Sequence, residues 1–363
     1  MISIRKKHFS HWLLHLFILH ILLVSQVYSK NIQCIWTGVE RIVAIGDIHG
    51  DYNNFLYILK GTGLVDDELH WTGGKSHLVQ VGDVLDRGPD ARGVFDLMKK
   101  LEKEAEKAGG HVHLIIGNHE EANITGLAFD VPGYVTVEQF LSFLPDKDRR
   151  TYEKKYRQGN GETVFRKNDP WLPLTEDVNK YWTKIMKSPT AQMKYSKNFN
   201  RSYGNWILEK NAIIKINDII FVHGGVSPRL STWTLENLNK SVRDELGNIR
   251  SINVYELNFP EIKRDIVYEP DGLYWYRELV NQNEYSTRET VDTILSNLGA
   301  QYMVVGHTTI RHSIFSPSDV NRFQGRIWTI DVGISSFYGG RIGALLIENG
   351  NFTLWRGNNE EKK

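Results

Sequence analysis

Short apolar runs alternate with segments of helical periodicity in the first part of the chain. Arg41 to Ile45, Leu78 to Val81 and Val112 to Ile116 are apolar and each is followed by glycine, which predicts three buried strands. The segments between them carry apolar residues at helical spacing and predict helices that begin after Asp51 and near Pro89. This alternating order implies parallel strand pairing with right-handed crossovers, so we predict an α/β fold.

The chain changes character twice after this region. Residues 126–205 are rich in Lys, Arg, Tyr and Trp and show no clear strand pattern, which predicts a mainly helical insertion. Further strands are predicted from residue 212 onward, with hairpin turns at Asn217-Asp218 and Asn349-Gly350. We therefore predict one domain over residues 36–356, with the insertion inside it, and a disordered tail over residues 357–363.

The first 29 residues have the pattern of a secretory signal peptide. Arg5, Lys6 and Lys7 precede an apolar stretch that is short for a membrane span, and Val27 and Ser29 precede a plausible cleavage position. We expect the protein in the secretory pathway, either in the endoplasmic reticulum lumen, in another endomembrane compartment or secreted. The alternative is an uncleaved signal anchor, and a stable membrane association is expected only in that case.

The composition excludes some kinds of partner and metal site, although it says little about the fold. The chain has 363 residues, of which 41% are hydrophobic and 24% are charged, and its net charge is +1. With so little net charge, no bulk attraction favours nucleic acid, and we expect no nucleic-acid partner. Cys34 is the single cysteine, so an intrachain disulfide is excluded and any metal ion must be held by His, Asp, Glu or Asn.

Polar clusters follow five of the predicted strands. They are GDIHG at 46–50, GDVLDRG at 82–88, GNHE at 117–120, HGG at 223–225 and GHT at 306–308. Because ligands of open α/β sheets bind beyond the carboxyl ends of the strands, we expect the five clusters to converge on one region. Carboxylate, imidazole and amide groups without thiolate suit Mn, Fe or Zn, and we predict two divalent ions, with Mn preferred.

The residue types in these clusters suit hydrolysis assisted by two metal ions. Two neighbouring ions need a shared ligand, and Asp83 is central in the order of the motifs. Arg87 is placed to neutralise phosphate charge, and His119, supported by Asp86, is placed to protonate a leaving oxygen. A hydroxide that bridges the two ions is the expected nucleophile, so no nucleophilic side chain is required.

Histidines outside these clusters are expected to be structural. His70, His77 and His312 are predicted at the surface. His111 and His113 lie two residues apart on the third predicted strand and therefore share one face, which we expect to be solvated.

The motifs GDIHGD, GDVLDRGPD, GNHE, VHGG and VVGHT, in this order, resemble those of the phosphoprotein phosphatase branch of the calcineurin-like metallophosphoesterases. Within that branch, Leu85 and the segment from Ile330 to Ser335 look most like the Shewanella-like protein phosphatases. The resemblance runs from about Arg41 to Trp355 and implies two facing mixed β-sheets flanked by helices.

The resemblance also implies a role for each matching residue. Asp47 and His49 would bind one metal ion, and Asp83 would bridge the two ions. The second ion would be held by Asn118, His223 and His307. The general acid, its supporting aspartate and the first phosphate-binding arginine keep the assignments given above. Arg277 is assigned as a second phosphate-binding arginine from its position between the HGG and GHT motifs alone, since no strict motif supports it.

From the motifs and the resemblance we predict a protein phosphatase that hydrolyses phosphotyrosine, phosphoserine or phosphothreonine in phosphoprotein substrates. One alternative is a diadenosine polyphosphate hydrolase or another small-molecule phosphoesterase, although symmetrical dinucleotide hydrolases generally lack the aspartate that Asp86 provides. Another alternative is an inactive scaffold, which is disfavoured because all six predicted ligands and His119 are present. The long stretch between Asn118 and His223 is expected to form a cap near the site and leaves the substrate open.

Overall fold

The computed structural model describes residues 32–160, 176–251, 266–310 and 317–357. The predicted signal peptide, His312 and the tail from residue 358 lie outside these ranges, so the expectations for them stay predictions. From Cys34 onward the described residues belong to one compact unit. Within these ranges, no helix is both long enough and apolar enough to cross a lipid bilayer.

Two mixed β-sheets form the centre of the protein. Their strands are β1 Ile35–Trp36, β2 Arg41–Ile45, β3 His77–Gln80, β4 His111–Leu114, β5 Ile213–Ile216, β6 Ile219–Val222, β7 Tyr302–Val305, β8 Asn321–Arg322, β9 Ile327–Thr329, β10 Gly343–Glu348 and β11 Asn351–Arg356. One sheet has the order β11-β10-β2-β3-β4, and the other has the order β1-β5-β6-β7-β9-β8. Strands β2, β3 and β4 pair in parallel, whereas β10 joins β2 in the antiparallel sense. The predicted α/β fold with two mixed sheets is confirmed.

Helices connect and flank these strands. They are Tyr52–Gly61, Ala91–Lys107, Asn118–Thr125, Val137–Phe143, Asp146–Asn160, Glu176–Met186, Pro189–Phe199, Asn205–Leu208, Pro228–Ser231, Leu235–Ser251, Glu278–Asn281, Glu284–Asn297 and Pro317–Val320. Asp51 caps the first helix by accepting a hydrogen bond from the backbone N–H of Asn54. The next helix begins after Pro89 rather than with it, because Asp90 is the capping residue and accepts from the N–H of Gly93.

The two sheets approach each other closely at the ends of their strands. A Cβ atom on Gly46 would lie 2.1 Å from the carbonyl oxygen of Ile330, so the end of β2 requires glycine to pass the segment after β9. The N–H of Ile116, just past β4, donates to the carbonyl oxygen of Asn211 at 3.1 Å, just before β5. These contacts bring the loops after the strands of both sheets into one region.

Between residues 126 and 205 the described residues form helices and turns, without a strand. Aromatic rings pack against each other at the centre of this segment, namely Phe129, Phe140, Phe143, Tyr195 and Phe199. The rings of Phe140 and Tyr195 are stacked with their centroids 5.8 Å apart, and both side chains are fully buried. The insertion therefore has its own aromatic core.

His77 and His113 are buried, and the expectation of a surface position for His77 and a solvated face for His113 was wrong. Nε2 of His113 lies 3.0 Å from Nδ1 of His77, and the indole of Trp36 packs edge-on against His113. Because Trp36 belongs to the second sheet, that sheet covers the histidine face. Burial and the nearby imidazole of His111 lower the pKa of His77 to about 4.

The histidine cluster predicts a loss of stability in mild acid. The unfolded chain takes up a proton on His77 below about pH 6.5, whereas the folded protein does so only near the lowered value, so stability falls as the pH decreases through this window. In His77→Leu, the loss in unfolding free energy between about pH 7 and about pH 5 should be smaller than in the wild type by about 1 kcal/mol. Urea unfolding at both pH values measures this difference. An equal pH dependence in the wild type and in His77→Leu would refute the explanation.

Candidate metal centre

All six predicted metal ligands lie together at the carboxyl ends of the central strands, and all are buried. They come from loops that follow different strands: Asp47 and His49 after β2, Asp83 after β3, Asn118 after β4, His223 after β6 and His307 after β7. Parallel pairing of β3 with both β2 and β4, and of β6 with β7, explains this convergence, because parallel strands end at the same edge of a sheet.

The carboxylate of Asp83 lies at the centre of the site. Its Oδ2 atom is 3.2 Å from Nε2 of His223, 3.8 Å from Nε2 of His119 and 3.9 Å from Nε2 of His49. Two groups of potential ligand atoms share it, one with His49 and His119 and the other with His223 and His307. Asp83 is therefore the one residue in the described ranges that belongs to both ligand groups.

Two of the imidazoles are oriented by backbone carbonyl groups. Nδ1 of His49 donates to the carbonyl oxygen of Leu85 at 2.9 Å, and Nδ1 of His223 donates to that of Val81 at 2.8 Å. Because a carbonyl oxygen can only accept, each Nδ1 carries a proton, and Nε2 is the ring nitrogen that faces Asp83. Burial and the neighbouring His119 lower the pKa of His49 to about 4, which keeps it in the neutral form that binds metal ions.

The second ligand group is equally compact. Nε2 of His223 lies 3.0 Å from Oδ1 of Asn118 and 3.1 Å from Nδ1 of His307. Separations of about 3 Å are expected between ligand atoms that bind one ion at about 2.1 Å. Nε2 of His307 is buried and has no hydrogen-bond partner among the described residues. Carboxylate, imidazole and amide donors in this arrangement fit two divalent cations.

Asp47 shares its surroundings with a carboxylate that sequence reasoning missed. The N–H of His307 donates to both carboxylate oxygens of Asp47 at 3.1 and 3.0 Å. Burial, together with the nearby carboxylates of Asp331 and Asp83, raises the pKa of Asp47 well above its ordinary value. Asp331 itself accepts from the hydroxyl of Thr309 at 2.6 Å. Such crowding of buried carboxylates is relieved when a cation binds.

His119 and Asp86 form a hydrogen-bonded pair beside Asp83. Nδ1 of His119 donates to Oδ2 of Asp86 at 2.7 Å, and Asp86 is fully buried. Burial by itself lowers the pKa of His119, but the carboxylates of Asp83 and Asp86 outweigh it, so the pKa lies above its ordinary value. Nε2 of His119 is left to face the centre of the site.

Glu120 is a second residue that sequence reasoning left without a role. Its carboxylate accepts from the backbone N–H groups of Asp83 at 2.8 Å, Val84 at 2.9 Å and Gly117 at 2.9 Å. It thereby joins the loop after β3 to the loop after β4 and holds the central carboxylate in place. In the sequence, only the position of Glu120 at the end of the GNHE motif indicated that it belongs to the site.

The loops around the site carry unusual backbone strain. Ten non-glycine residues in the described ranges have positive φ angles, and five of them are site residues: His49, Asp83, Asp86, Arg87 and His307. Positive φ is unfavourable for residues with a Cβ atom and persists where surrounding contacts enforce it. The concentration of such residues at one place marks it as the functional site of the fold.

Comparison with known proteins agrees with this geometry. Residues 40–311 match the protein family described as "Calcineurin-like phosphoesterase". The chain belongs to the calcineurin-like phosphoesterases. The protein is therefore a hydrolase of the phosphoesterase class, from a family that uses divalent metal ions.

Similar proteins place this calcineurin-like phosphoesterase near the Shewanella-like protein phosphatases, which confirms the resemblance inferred from the motifs. Shewanella-like protein phosphatase 1 of Plasmodium berghei is 27% identical over 317 residues, covering 86% of this chain and 72% of the relative. An uncharacterized protein of Schizosaccharomyces pombe is 30% identical over 326 residues, covering 88% of this chain and 81% of the relative.

A solved structure shows the same likeness. The cold-active protein-tyrosine phosphatase of a psychrophilic Shewanella species superposes with a TM-score of 0.62 at 25% identity, over 90% of this chain and 82% of that chain.

Both predicted phosphate-binding arginines of this phosphoesterase lie at the site. Nη1 of Arg87 donates to the carbonyl oxygen of Gly133 at 3.0 Å. Nη1 of Arg277 donates to the carbonyl oxygen of His307 at 2.8 Å and lies 3.0 Å from the hydroxyl of Thr308. Their positions are compatible with phosphate binding, and that role stays a prediction.

Aromatic rings that the motifs did not indicate form the rim of the site. Tyr134 stacks on His119 with ring centroids 4.1 Å apart. The ring centroids of Tyr338 and His49 are 5.1 Å apart. The guanidinium carbon of Arg87 lies over the rings of Tyr134 at 4.6 Å and Phe337 at 5.0 Å. Phe337 is 58% exposed.

Replacement of Asp83 should weaken metal binding and reduce the number of bound ions. Asp83→Asn loses the anionic charge and one of the two acceptor oxygens between the ligand groups, so the protein should bind no more than one divalent ion per chain, with at least tenfold weaker affinity. Titration calorimetry of the metal-stripped protein with Mn²⁺ measures both quantities. The exposed Asp67→Asn is the matched control and should bind as the wild type does. Two tightly bound ions in Asp83→Asn would exclude the shared-ligand geometry.

Proposed function

We propose that the protein is a protein phosphatase that hydrolyses phosphomonoesters with the help of two divalent metal ions. The observation that carries the proposal is the buried Asp83 carboxylate, which two ligand groups share while the His119–Asp86 pair faces it. The similarity to Shewanella-like protein phosphatases supports phosphoproteins as the substrates.

In this proposal the ligand residues divide between two ions. Asp47 and His49 would hold one cation, and Asp83 would contribute to both. The second cation would be held by Asn118, His223 and His307. When bound, the two cations neutralise phosphoryl charge and supply the attacking hydroxide. Mn is the proposed metal, with Fe or Zn as alternatives that the same donor set accepts.

The chain itself then supplies binding and proton transfer. Arg87 and Arg277 donate hydrogen bonds to the phosphoryl oxygens and so offset their negative charge. His119 donates the proton on Nε2 to the leaving oxygen, while its Nδ1–H stays hydrogen-bonded to Asp86. The carboxylates of Asp83 and Asp86 outweigh burial and raise the pKa of His119, which is the direction that a proton donor requires.

A phosphatase assay tests the proposal. The metal-stripped protein, resupplied with Mn²⁺, should release phosphate from phosphopeptides, and Asp83→Asn should not. His119→Asn should bind Mn²⁺ but lose about 10²–10⁴-fold in kcat, because the leaving oxygen departs without a proton. The exposed His70→Asn is the control for His119→Asn.

Other outcomes would favour the alternatives. Cleavage of diadenosine tetraphosphate without activity on phosphopeptides would identify a dinucleotide hydrolase. Absence of turnover on every substrate in the presence of bound metal would favour the inactive scaffold.

Within this function, we propose phosphotyrosine as the preferred residue. The leaving group departs next to His119, and the ring stacked on His119 is Tyr134. Phe337 exposes an apolar ring beside Arg87. An aromatic leaving group can pack on these rings, whereas the short side chain of serine reaches neither, so aromatic contacts would favour phosphotyrosine. The similar Shewanella enzyme is a protein-tyrosine phosphatase, which supports this preference.

The exposed ring provides the test of residue preference. Phe337→Ala should lower kcat/KM for a phosphotyrosine peptide about tenfold, as expected for the loss of one aromatic contact, and leave kcat/KM for the matched phosphoserine peptide unchanged. Tyr285→Ala removes another exposed ring and should change neither value. An equal loss on both peptides would show that Phe337 does not select the residue.

A further inference from the structure

The carboxylate of Asp86 is held by two amide side chains in addition to His119. Nε2 of Gln139 donates to Oδ1 of Asp86 at 2.7 Å. Nδ2 of Asn123 lies 3.1 Å from Oδ1 and 3.0 Å from Oδ2 of the same carboxylate. Gln139 belongs to the helix Val137–Phe143, which is part of the insertion.

Gln139 makes two hydrogen bonds to Asp86. The backbone N–H of Asp86 donates to Oε1 of Gln139 at 2.7 Å. Because a backbone N–H can only donate, this contact identifies the oxygen of the amide and leaves the NH₂ group to face the carboxylate. The two hydrogen bonds together fix the Asp86 side chain relative to its own backbone, in a residue whose φ angle of 68° is strained.

Tyr195 completes a closed cycle of hydrogen bonds with Gln139, Asp86 and Asn123. Its hydroxyl donates to Oδ1 of Asn123 at 2.7 Å and accepts from Nε2 of Gln139 at 3.0 Å. The first of these bonds orients the Asn123 amide so that its NH₂ group points at Asp86. Burial raises the pKa of Tyr195 well above its ordinary value, so the hydroxyl keeps the proton that it donates. All four side chains of this cycle are fully buried, namely those of Asp86, Asn123, Gln139 and Tyr195.

The aromatic core of the insertion sets the position of the Tyr195 hydroxyl. The Tyr195 ring stacks on Phe140 and on Phe199 and meets Phe129 and Phe143 edge-on. These rings come from the helices Val137–Phe143 and Pro189–Phe199 and from the 3-10 helix Leu127–Asp130. A change in the packing of the insertion would therefore move the hydroxyl and, through Asn123 and Gln139, the carboxylate of Asp86.

We propose that Gln139 and Tyr195 are positioning residues that aim the His119–Asp86 pair, so that the helical insertion is part of the catalytic apparatus. This inference rests on the proposed role of His119 as the general acid. The insertion sets the orientation of Asp86, Asp86 sets the orientation of the His119 ring, and the ring directs its Nε2–H at the leaving oxygen.

A positioning role has a specific kinetic signature. Proton donation matters most when the leaving group is a poor one, and it matters little when the leaving group is stable as an anion. Loss of orientation should therefore slow hydrolysis of phenyl phosphate more than that of p-nitrophenyl phosphate. A general loss of structure or of bound metal would slow both reactions alike.

Tyr195→Phe is the decisive variant, because it keeps the packed ring and removes only the hydroxyl that orients Asn123. In the full chain with Mn²⁺ bound, the ratio of kcat on p-nitrophenyl phosphate to kcat on phenyl phosphate should rise about tenfold over the wild type. Gln139→Met, which removes both contacts to Asp86, should raise the ratio further. If Gln139→Met fails to fold, Tyr195→Phe still decides the question.

Tyr181→Phe is the matched control. Its hydroxyl also lies in the insertion but donates to the carbonyl oxygen of Tyr152, at 3.0 Å, away from the network. It should keep the wild-type ratio.

An unchanged ratio in Tyr195→Phe, or the same fractional loss on both substrates, would overturn the positioning role. A wild-type protein that hydrolyses neither the two aryl phosphates nor the phosphopeptides would instead refute the proposed phosphatase function. The two failures are therefore distinguishable.

Discussion

Burial of the Asp83 carboxylate between two groups of ligand atoms is the constraint around which the rest of the structure is arranged. An isolated carboxylate at this depth would be costly, and its charge is offset by the imidazoles of His223 and His119, which hold its pKa well below the ordinary range despite burial. Glu120 fixes the loop that carries it through three backbone N–H groups. The strained φ angles of the site loops persist because these contacts enforce them.

The site depends on both sheets. Four of the six candidate ligands follow strands β2, β3 and β4, and the other two follow β6 and β7. Gly46 lets the sheets approach closely where these strands end. The helical insertion adds a third source, because Gln139 reaches Asp86 from it and Tyr134 covers His119. The candidate ligands, the His119–Asp86 pair and the aromatic rim therefore come from several parts of the chain that meet at one region.

Much of the candidate metal centre could be predicted because each candidate ligand lies in a short motif at the end of a strand, and parallel strands end at the same edge of a sheet. Glu120 lies inside such a motif, yet its role could not be predicted, since it acts on backbone N–H groups that only the folded loops bring together. Phe337 and Tyr134 lie outside every motif. Their place at the rim follows from two segments more than 200 residues apart in the chain.

The amino-acid sequence by itself determined the α/β class, the strand ends that carry the site and the set of candidate ligands, because these depend on local periodicity and on residue types. Tertiary structure alone decided that His77 and His113 are buried, since burial of a strand face depends on whether another sheet covers it. It likewise decided that Gln139 binds Asp86 and that Tyr195 binds Asn123. Hydrogen bonds between residues separated by 53 and 72 positions leave no periodic or local signal in the sequence.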